Sequence, residues 1–323
     1  MKADLHTHST ISDGSDTISQ LIEAAKAKGL DAIAITDHDT TSHFSRVHDY
    51  AVRSSDIQVV AGLEISAIYS GPERAGAQSQ ESGAYGAVSN GAQSQESGVY
   101  GAVSNGAQPQ ESGAYGAVSN VAKSRVHVLG YCIKKPELIT ALTLPLLEAR
   151  GRNSEKQAET LIRLGFDIDM EKISRADGKY LYKSHIMSWL FSTGQVDELF
   201  GEFYRKTFRR GGVCESDIEY IDVFEAVRTI RAAGGLAVLA HPGQQQIFWL
   251  IPELVDAGLC GLELNHHSHT DKDREIIRDY ASRYGLFLTG GSDHHGKFDP
   301  KPFGVGDIIS DESGAAVILG NSA

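Results

Sequence analysis

Six short apolar runs in this chain end on, or carry, side chains able to bind metal ions, and their placement constrains the fold more than any other feature. Lys2–Leu5 leads into His6-Thr7-His8 and then Asp13, and Ala32–Ile35 leads into Asp37-His38-Asp39. Val59-Val60 and Leu63–Ile65 carry Glu64, and Arg125–Tyr131 carries His127. Leu236–Ala240 ends in His241-Pro242-Gly243, and Leu286–Thr289 leads into Gly291-Ser292-Asp293-His294-His295-Gly296. Between such runs lie stretches of helical spacing, as in Ser19–Lys28, where Leu21, Ile22 and Ala25 share a face and Gly29 stops the helix. Strands alternating with helices predict a parallel sheet or barrel. In a barrel the ends of the strands converge on one face, so residues hundreds of positions apart meet there.

The composition is that of an ordinary soluble globular enzyme, with 41% hydrophobic and 22% charged residues in 323. A net charge of −12 argues against duplex nucleic acid as a partner, which demands a basic footprint. It is compatible with an anionic substrate if bound cations reverse the local sign. Cys132, Cys214 and Cys260 form no C-x-x-C pair and are expected as free thiols. With no apolar signal region after Met1 and no membrane-length segment, a cytoplasmic location and no membrane partner are expected.

Residues 76–120 are three copies of a 15-residue unit, GAQSQESGAYGAVSN, with only two substitutions among them. Each copy offers one Tyr, one Val and several Ala among Gly, Ser and Gln, too little apolar surface to offset the entropy of ordering it. A flexible expansion in a surface loop is the preferred reading, a Tyr-bearing interaction segment the other. Residues 136–212 are mostly helical in pattern, with Leu161, Ile162, Leu164, Phe166, Ile186, Trp189, Leu190, Leu199, Phe200 and Phe203 as core candidates. The expected organisation is a barrel begun by residues 1–135, interrupted by a helical insertion or lid at 136–215 and completed by 216–323.

In an extended segment His6 and His8 point to the same side, as do Asp293 and His295, so each pair can grip one ion. Imidazole with carboxylate suits zinc, manganese or iron better than calcium, and a carboxylate such as Glu64 can bridge two ions. Singly these motifs are weak. Asp37 and Asp39 also suit turns, and His241 before a proline also suits a core imidazole; His43, His48 and His294 are read as structural or exposed. Six such sites on six separate strands are a different matter.

The segments DLHTHSTISDG, AITDHDT, GLEIS, HVLGY, LAHPG, GLELNHHSH and GSDHHG, in that order, resemble the PHP (polymerase and histidinol phosphatase) superfamily. The resemblance implies a distorted, seven-stranded (β/α) barrel holding two or three divalent ions, Mn²⁺, Zn²⁺ or Fe²⁺. It implies His6, His8, Glu64 and Asp293 at one ion, Glu64, His127 and His241 at a second, and Asp13, His38 and His295 at a third. Catalytic roles fall to His241, Asp293 and His295. Within the superfamily the insertion is similar to the branch acting on nucleoside 3′,5′-bisphosphates and on 5′ ends of short RNA. Arg150, Arg152 and Asn153 match its Arg-Asn helix, and Lys183-Ser184-His185 stands where that branch has Arg-Pro-His. Ser12, Arg150, Arg152, Asn153, Lys183, His185 and His269 are the expected substrate contacts; for Arg150 and Arg152 a solvated helix face is an equal reading.

The function this implies is removal of the 3′-phosphate of a small nucleotide such as adenosine 3′,5′-bisphosphate, giving AMP, by a metal-activated hydroxide. The alternatives are 5′→3′ exonuclease action on short RNA and a non-catalytic nucleotide-binding module. For the repeat, limited proteolysis is expected to cut first within 76–120, and resistance there would count against a flexible loop.

Overall fold

Strand β1 (Ala3–Asp4) hands the chain to helix α1 (Ile18–Ala27), whose start is fixed by a reciprocal cap. The Thr17 hydroxyl accepts from the Gln20 N–H at 3.3 Å while Gln20 Oε1 accepts from the Thr17 N–H at 2.8 Å. Ile18, Leu21, Ile22 and Ala25 form the buried face of this helix, packing with Ile33 and Ile35. Strand β2 (Ala32–Ile35) is buried at all four positions, which explains its unbroken apolar sequence. Helix α2 (Phe44–Arg53) leads to β3 (Gln58–Tyr69), a single twelve-residue strand through Gly62 where the sequence suggested two pieces.

The computed structural model describes residues 1–53, 56–71, 123–173, 180–209, 211–216, 218–298 and 303–322; the tandem repeat at 76–120 lies outside the described residues. The chain resumes with β4 (Ser124–Tyr131), α3 (Pro136–Arg163), α4 (Lys183–Ser192) and α5 (Glu202–Phe208). It continues through β5 (Ile221–Asp222), α6 (Val223–Ala232), β6 (Leu236–Leu239), α7 (Pro242–Gln245) and α8 (Ile251–Asp256). The last elements are β7 (Gly261–Asn265), α9 (Asp271–Tyr284), β8 (Phe287–Gly290) and α10 (Glu312–Asn321).

Seven strands follow one path, β1-β2-β3-β4-β6-β7-β8, round a nearly closed barrel, with β5 paired to β3 off that path. The ends meet through a parallel bridge between Thr7 and His294 and the bonds His8 N–H to His294 O (3.0 Å) and Asp293 N–H to His6 O (2.9 Å). A Cβ on Gly291 would sit 2.4 Å from the His6 backbone nitrogen, so glycine permits this closure. The parallel pattern breaks at β4, antiparallel to both β3 and β6. It brings His127, opposite Ser66, to the metal-binding end from its own N-terminal half.

The helical segment has a core of its own, including Ala158, Leu161, Leu181, Ile186, Met187 and Leu190. Two expected core residues stand outside it: Ile162 is 40% and Leu164 57% exposed, since both lie off the buried stripe at the end of α3. Cys132, Cys214 and Cys260 are free. Among the described residues no helix is long and apolar enough to cross a membrane.

Asp4 clamps the barrel's seam. Fully buried, it accepts from Ser292 N–H (3.0 Å), Ser292 Oγ–H (2.7 Å) and Gly306 N–H (2.8 Å). Burial pushes its pKa up against those bonds. Asp4→Ala strands these donors, and a loss of about 3 kcal/mol or more is expected in urea unfolding. A change under about 1 kcal/mol would show that the seam does not depend on this carboxylate.

Candidate metal centre

One buried carboxylate stands at the middle of the converged strand ends. Glu64 Oε2 lies 3.2 Å from His6 Nε2, 3.2 Å from His8 Nε2 and 3.4 Å from His38 Nε2. Its Oε1 lies 2.8 Å from His127 Nδ1 and 3.0 Å from His241 Nε2. A second carboxylate, Asp293, puts Oδ1 3.3 Å from His6 Nε2 and 3.1 Å from His8 Nε2. Asp13 approaches His295 Nε2 at 3.4 Å and His38 Nε2 at 3.9 Å.

The donor atoms fall into three groups, each within 4.8 Å of one another: His6, His8, Glu64 and Asp293; His8, Asp13, His38 and His295; His38, Glu64 and His127. The first is the set the resemblance implied. The second adds His8 to the implied three, and the third contains His38 where the resemblance put His241, although His241 also reaches Glu64. The groups fit cations on this structure's own evidence. Among the described residues, buried His6 Nε2, His8 Nδ1, His8 Nε2, Asp13 Oδ1 and Asp293 Oδ1 have no hydrogen-bond partner, a state that is costly unless something else satisfies them. Three imidazole nitrogens also crowd Glu64 Oε2, more than two lone pairs accept.

Supporting bonds orient the His6, His295 and His266 rings. His6 Nδ1 donates to Glu263 Oε1 at 2.9 Å, leaving Nε2 for the centre, while Glu263 Oε2 accepts from the His241 N–H at 2.7 Å. His295 Nδ1 donates to the Asp293 carbonyl at 2.9 Å, again freeing Nε2. The Ser268 N–H donates to His266 Nδ1 (3.2 Å), so His266 Nε2 donates to Asp293 Oδ2 (3.3 Å) and turns Oδ1 inward. Glu263 and His266 were not foreseen as site residues. The signal for Glu263 was present: a lone charge inside the apolar run Gly261-Leu262-Glu263-Leu264 must have a buried partner.

The expected substrate residues scatter. Ser12 is buried, and its hydroxyl donates to Asp37 at 2.6 Å, tying the loop after β1 to the end of β2. Arg150 donates from Nη2 to Asp39 (2.7 Å) and Ser66 (3.0 Å), beside the centre. Arg152 is 63% exposed and pairs with Glu148, away from Arg150. Arg150, Asn153 and Lys183 line a cavity of about 210 Å³ that Asp13 also borders. His185 lines a neighbouring cavity with Ser15 and Lys297. His269 uses both ring nitrogens on backbone, Nδ1 to Leu264 O (2.9 Å) and Nε2 from Gly243 N–H (3.2 Å), and so props the His-Pro-Gly turn.

Burial opposes charge on His38, His241, His266 and His295, and the carboxylates outweigh it at some. Glu64 lifts His241 to about 9, and Asp13 and Asp293 lift His295 to about 10. At His38 and His266 burial wins, and both fall to about 4. Burial likewise opposes charge on Glu263, yet His6 holds it down to about 2.

The PHP domain family model matches residues 4–209. A phosphoribosyl 1,2-cyclic phosphate 1,2-diphosphodiesterase of Eggerthella lenta is 35% identical over 306 residues, 94% of this chain and 97% of the relative. A 3′,5′-nucleoside bisphosphate phosphatase of Chromobacterium violaceum is 26% identical, over 90% of this chain and 86% of its own. A crystal structure from Bifidobacterium adolescentis, classed as a metal-dependent phosphoesterase, superposes with a TM-score of 0.74 at 23% identity over 99% of this chain and 96% of that one, a likeness of fold.

Because His241 and His295 hold protons well above pH 7 in the metal-free chain, a metal must displace them, and apparent affinity falls as pH drops below about 9. Calorimetric titration with Mn²⁺ or Zn²⁺ at pH 7, in buffers of different ionisation enthalpy, is expected to show release of at least two protons, because His6 is also held well above its usual range. Heat independent of the buffer would contradict this.

Proposed function

Since the chain belongs to the PHP domain family of metal-dependent phosphoesterases, we propose that it hydrolyses phosphoesters of a small ribose compound carrying a second phosphate, with phosphoribosyl 1,2-cyclic phosphate as substrate. The observation that carries the reading is the 35% identity to the Eggerthella lenta diphosphodiesterase, which spans nearly all of both chains. The geometry supports the substrate class: the metal-binding centre takes the scissile phosphate, and the cavity bearing Arg150, Asn153 and Lys183 opens beside it at Asp13. Two or three divalent ions, when bound, lower the pKa of water and neutralise phosphate oxygens.

The chain's own residues supply placement and proton traffic. His6, His8, Glu64 and Asp293 would hold one ion, His38, His295 and Asp13 another, and His127 and His241 a third through Glu64. Arg150, held by Asp39 and Ser66, keeps a fixed positive charge at the wall of the centre. Whichever of His241 and His295 is not taken up as a ligand is placed to pass a proton to the leaving oxygen. Opening a cyclic phosphate adds water to phosphorus, breaks one P–O ester bond and protonates one ribose oxygen. The monoester left behind presents the same phosphorus for a second hydrolysis.

A second reading, release of the 3′-phosphate from adenosine 3′,5′-bisphosphate, draws on the Chromobacterium violaceum relative and on Asn153 and Arg150 sharing one cavity. Assays on the cyclic phosphate, on the bisphosphate and on a 5′-phosphorylated oligonucleotide separate the readings. The highest kcat/KM is expected on the cyclic phosphate, lost on chelation and lowered about a thousandfold by Asp293→Ala. Preference for the bisphosphate or the oligonucleotide would replace the proposed substrate; full turnover after exhaustive chelation would remove the metal reading.

A further inference from the structure

Three glutamines follow the His-Pro-Gly turn, and they are used differently. Gln244 is exposed. Gln246, in the left-handed region at φ 54°, closes the one-turn helix α7 with its N–H on Pro242 O. Its Nε2 donates to Gly243 O at 2.6 Å and to Asp273 Oδ1 at 3.3 Å. The next residue, buried Ile247, also donates its N–H to Pro242 O, at 3.1 Å. The backbone of Gln245 is thus held by its neighbours, and its side chain is free for another bond: Oε1 accepts from His241 Nδ1 at 3.1 Å. An amide oxygen only accepts. Nδ1 therefore keeps its hydrogen, and Nε2, 3.0 Å from Glu64 Oε1, is the nitrogen left for a cation.

The outer bonds of the histidines at the centre are unequal. Glu263 gives one oxygen to the His6 ring and the other to the His241 backbone N–H, so a carboxylate supports the first imidazole and a neutral amide the second. An imidazole backed by a carboxylate is the more basic ligand. Exposure runs the same way: the side chains of His6 and His8 are wholly buried, whereas that of His127 is 26% exposed. We propose that Gln245 is a positioning residue that keeps His241 Nε2 turned to Glu64 and, being neutral, makes the cation at Glu64, His127 and His241 the most readily exchanged of the centre. The proposal rests on the metal reading of the function proposed above and on no particular substrate. A Glu at 245 would accept the same Nδ1–H with a full charge and remove the inequality; an apolar residue there would leave the ring unsupported on its outer side.

The test follows release of zinc from the full-length, Zn²⁺-loaded protein into an excess of a chromophoric chelator, a reading that involves no turnover. Wild type is expected to release zinc in separate phases, and His241→Ala to abolish the fastest. Gln245→Leu is expected to speed that phase about tenfold and Gln245→Glu to slow it about tenfold, with the slower phases within about twofold of wild type. A general loosening of the fold would move every phase together, and that outcome would overturn the proposal. So would a fastest phase that survives His241→Ala, or Gln245→Glu releasing zinc as quickly as Gln245→Leu. Gln245→Glu keeps the size and the acceptor of the native side chain, so it decides the matter alone if Gln245→Leu does not fold. Wild type that retains no zinc through gel filtration would overturn the metal reading together with this proposal. Zinc retained, with phases insensitive to both Gln245 variants, would overturn this proposal and leave the metal reading standing.

Discussion

The Glu64 carboxylate, 1% exposed among five imidazoles, sets the terms for everything around it. A carboxylate removed from water costs several kcal/mol unless charge or hydrogen bonds replace its solvation. In the metal-free chain protons on the histidines do part of this work: His6 is raised well above its usual range despite burial, as Glu263, Asp293 and Glu64 surround it. Metals and protons therefore compete for the same lone pairs, and either state neutralises the same buried acids. With neither, Glu64 and Asp293 would confront each other within 4.8 Å.

That constraint explains why the surrounding polar residues are bound so tightly. Asp4 joins the loop after β8 to β1, Asp37 takes two hydroxyls and an N–H from the loop after β1, and Glu263 links His6 to the start of the His-Pro-Gly turn. Each is a buried carboxylate whose oxygens are committed to donors on other strands. Ligand geometry in this barrel is thus a property of the strand ends being tied to each other, as expected where second-sphere bonds orient metal ligands.

Much of this was legible because burial and chemistry leave separate marks in sequence. The runs Ala32–Ile35 and Leu236–Leu239 are apolar through and through since both faces are covered, and the His and Asp residues follow directly because only strand ends reach the open face. His127 was placed on its strand, but antiparallel β4 delivers it from the strand's other half, and pairing direction is set by the connection rather than by the strand's own residues. Arg150 and Arg152 had looked equivalent, yet two positions on a helix are about 200° apart, so one faces the centre and the other solvent. Arg150's partner, Asp39, lies 111 positions earlier, a distance across which no local pattern speaks. His266 escaped notice because its role is to hold Asp293, and a residue acting through another has no spacing of its own.

The backbone shows what the centre costs. Asp39, His241 and Asp293 all have positive φ, at 57°, 27° and 52°, in a region that non-glycine residues avoid. Strain of this kind costs on the order of 1–3 kcal/mol per residue and persists only where the surroundings over-determine it. Glycine would relieve it at each position, but would delete the carboxylate that holds Arg150, the imidazole beside Glu64 and the carboxylate between His6 and His8. Side chains bearing the chemistry are therefore kept where the backbone disfavours them, and bound cations would return the stability through their preference for the folded form. The barrel's stability and its metal centre are, on this argument, one thermodynamic problem: strand ends bent to bring their side chains inward, and cations that hold them there.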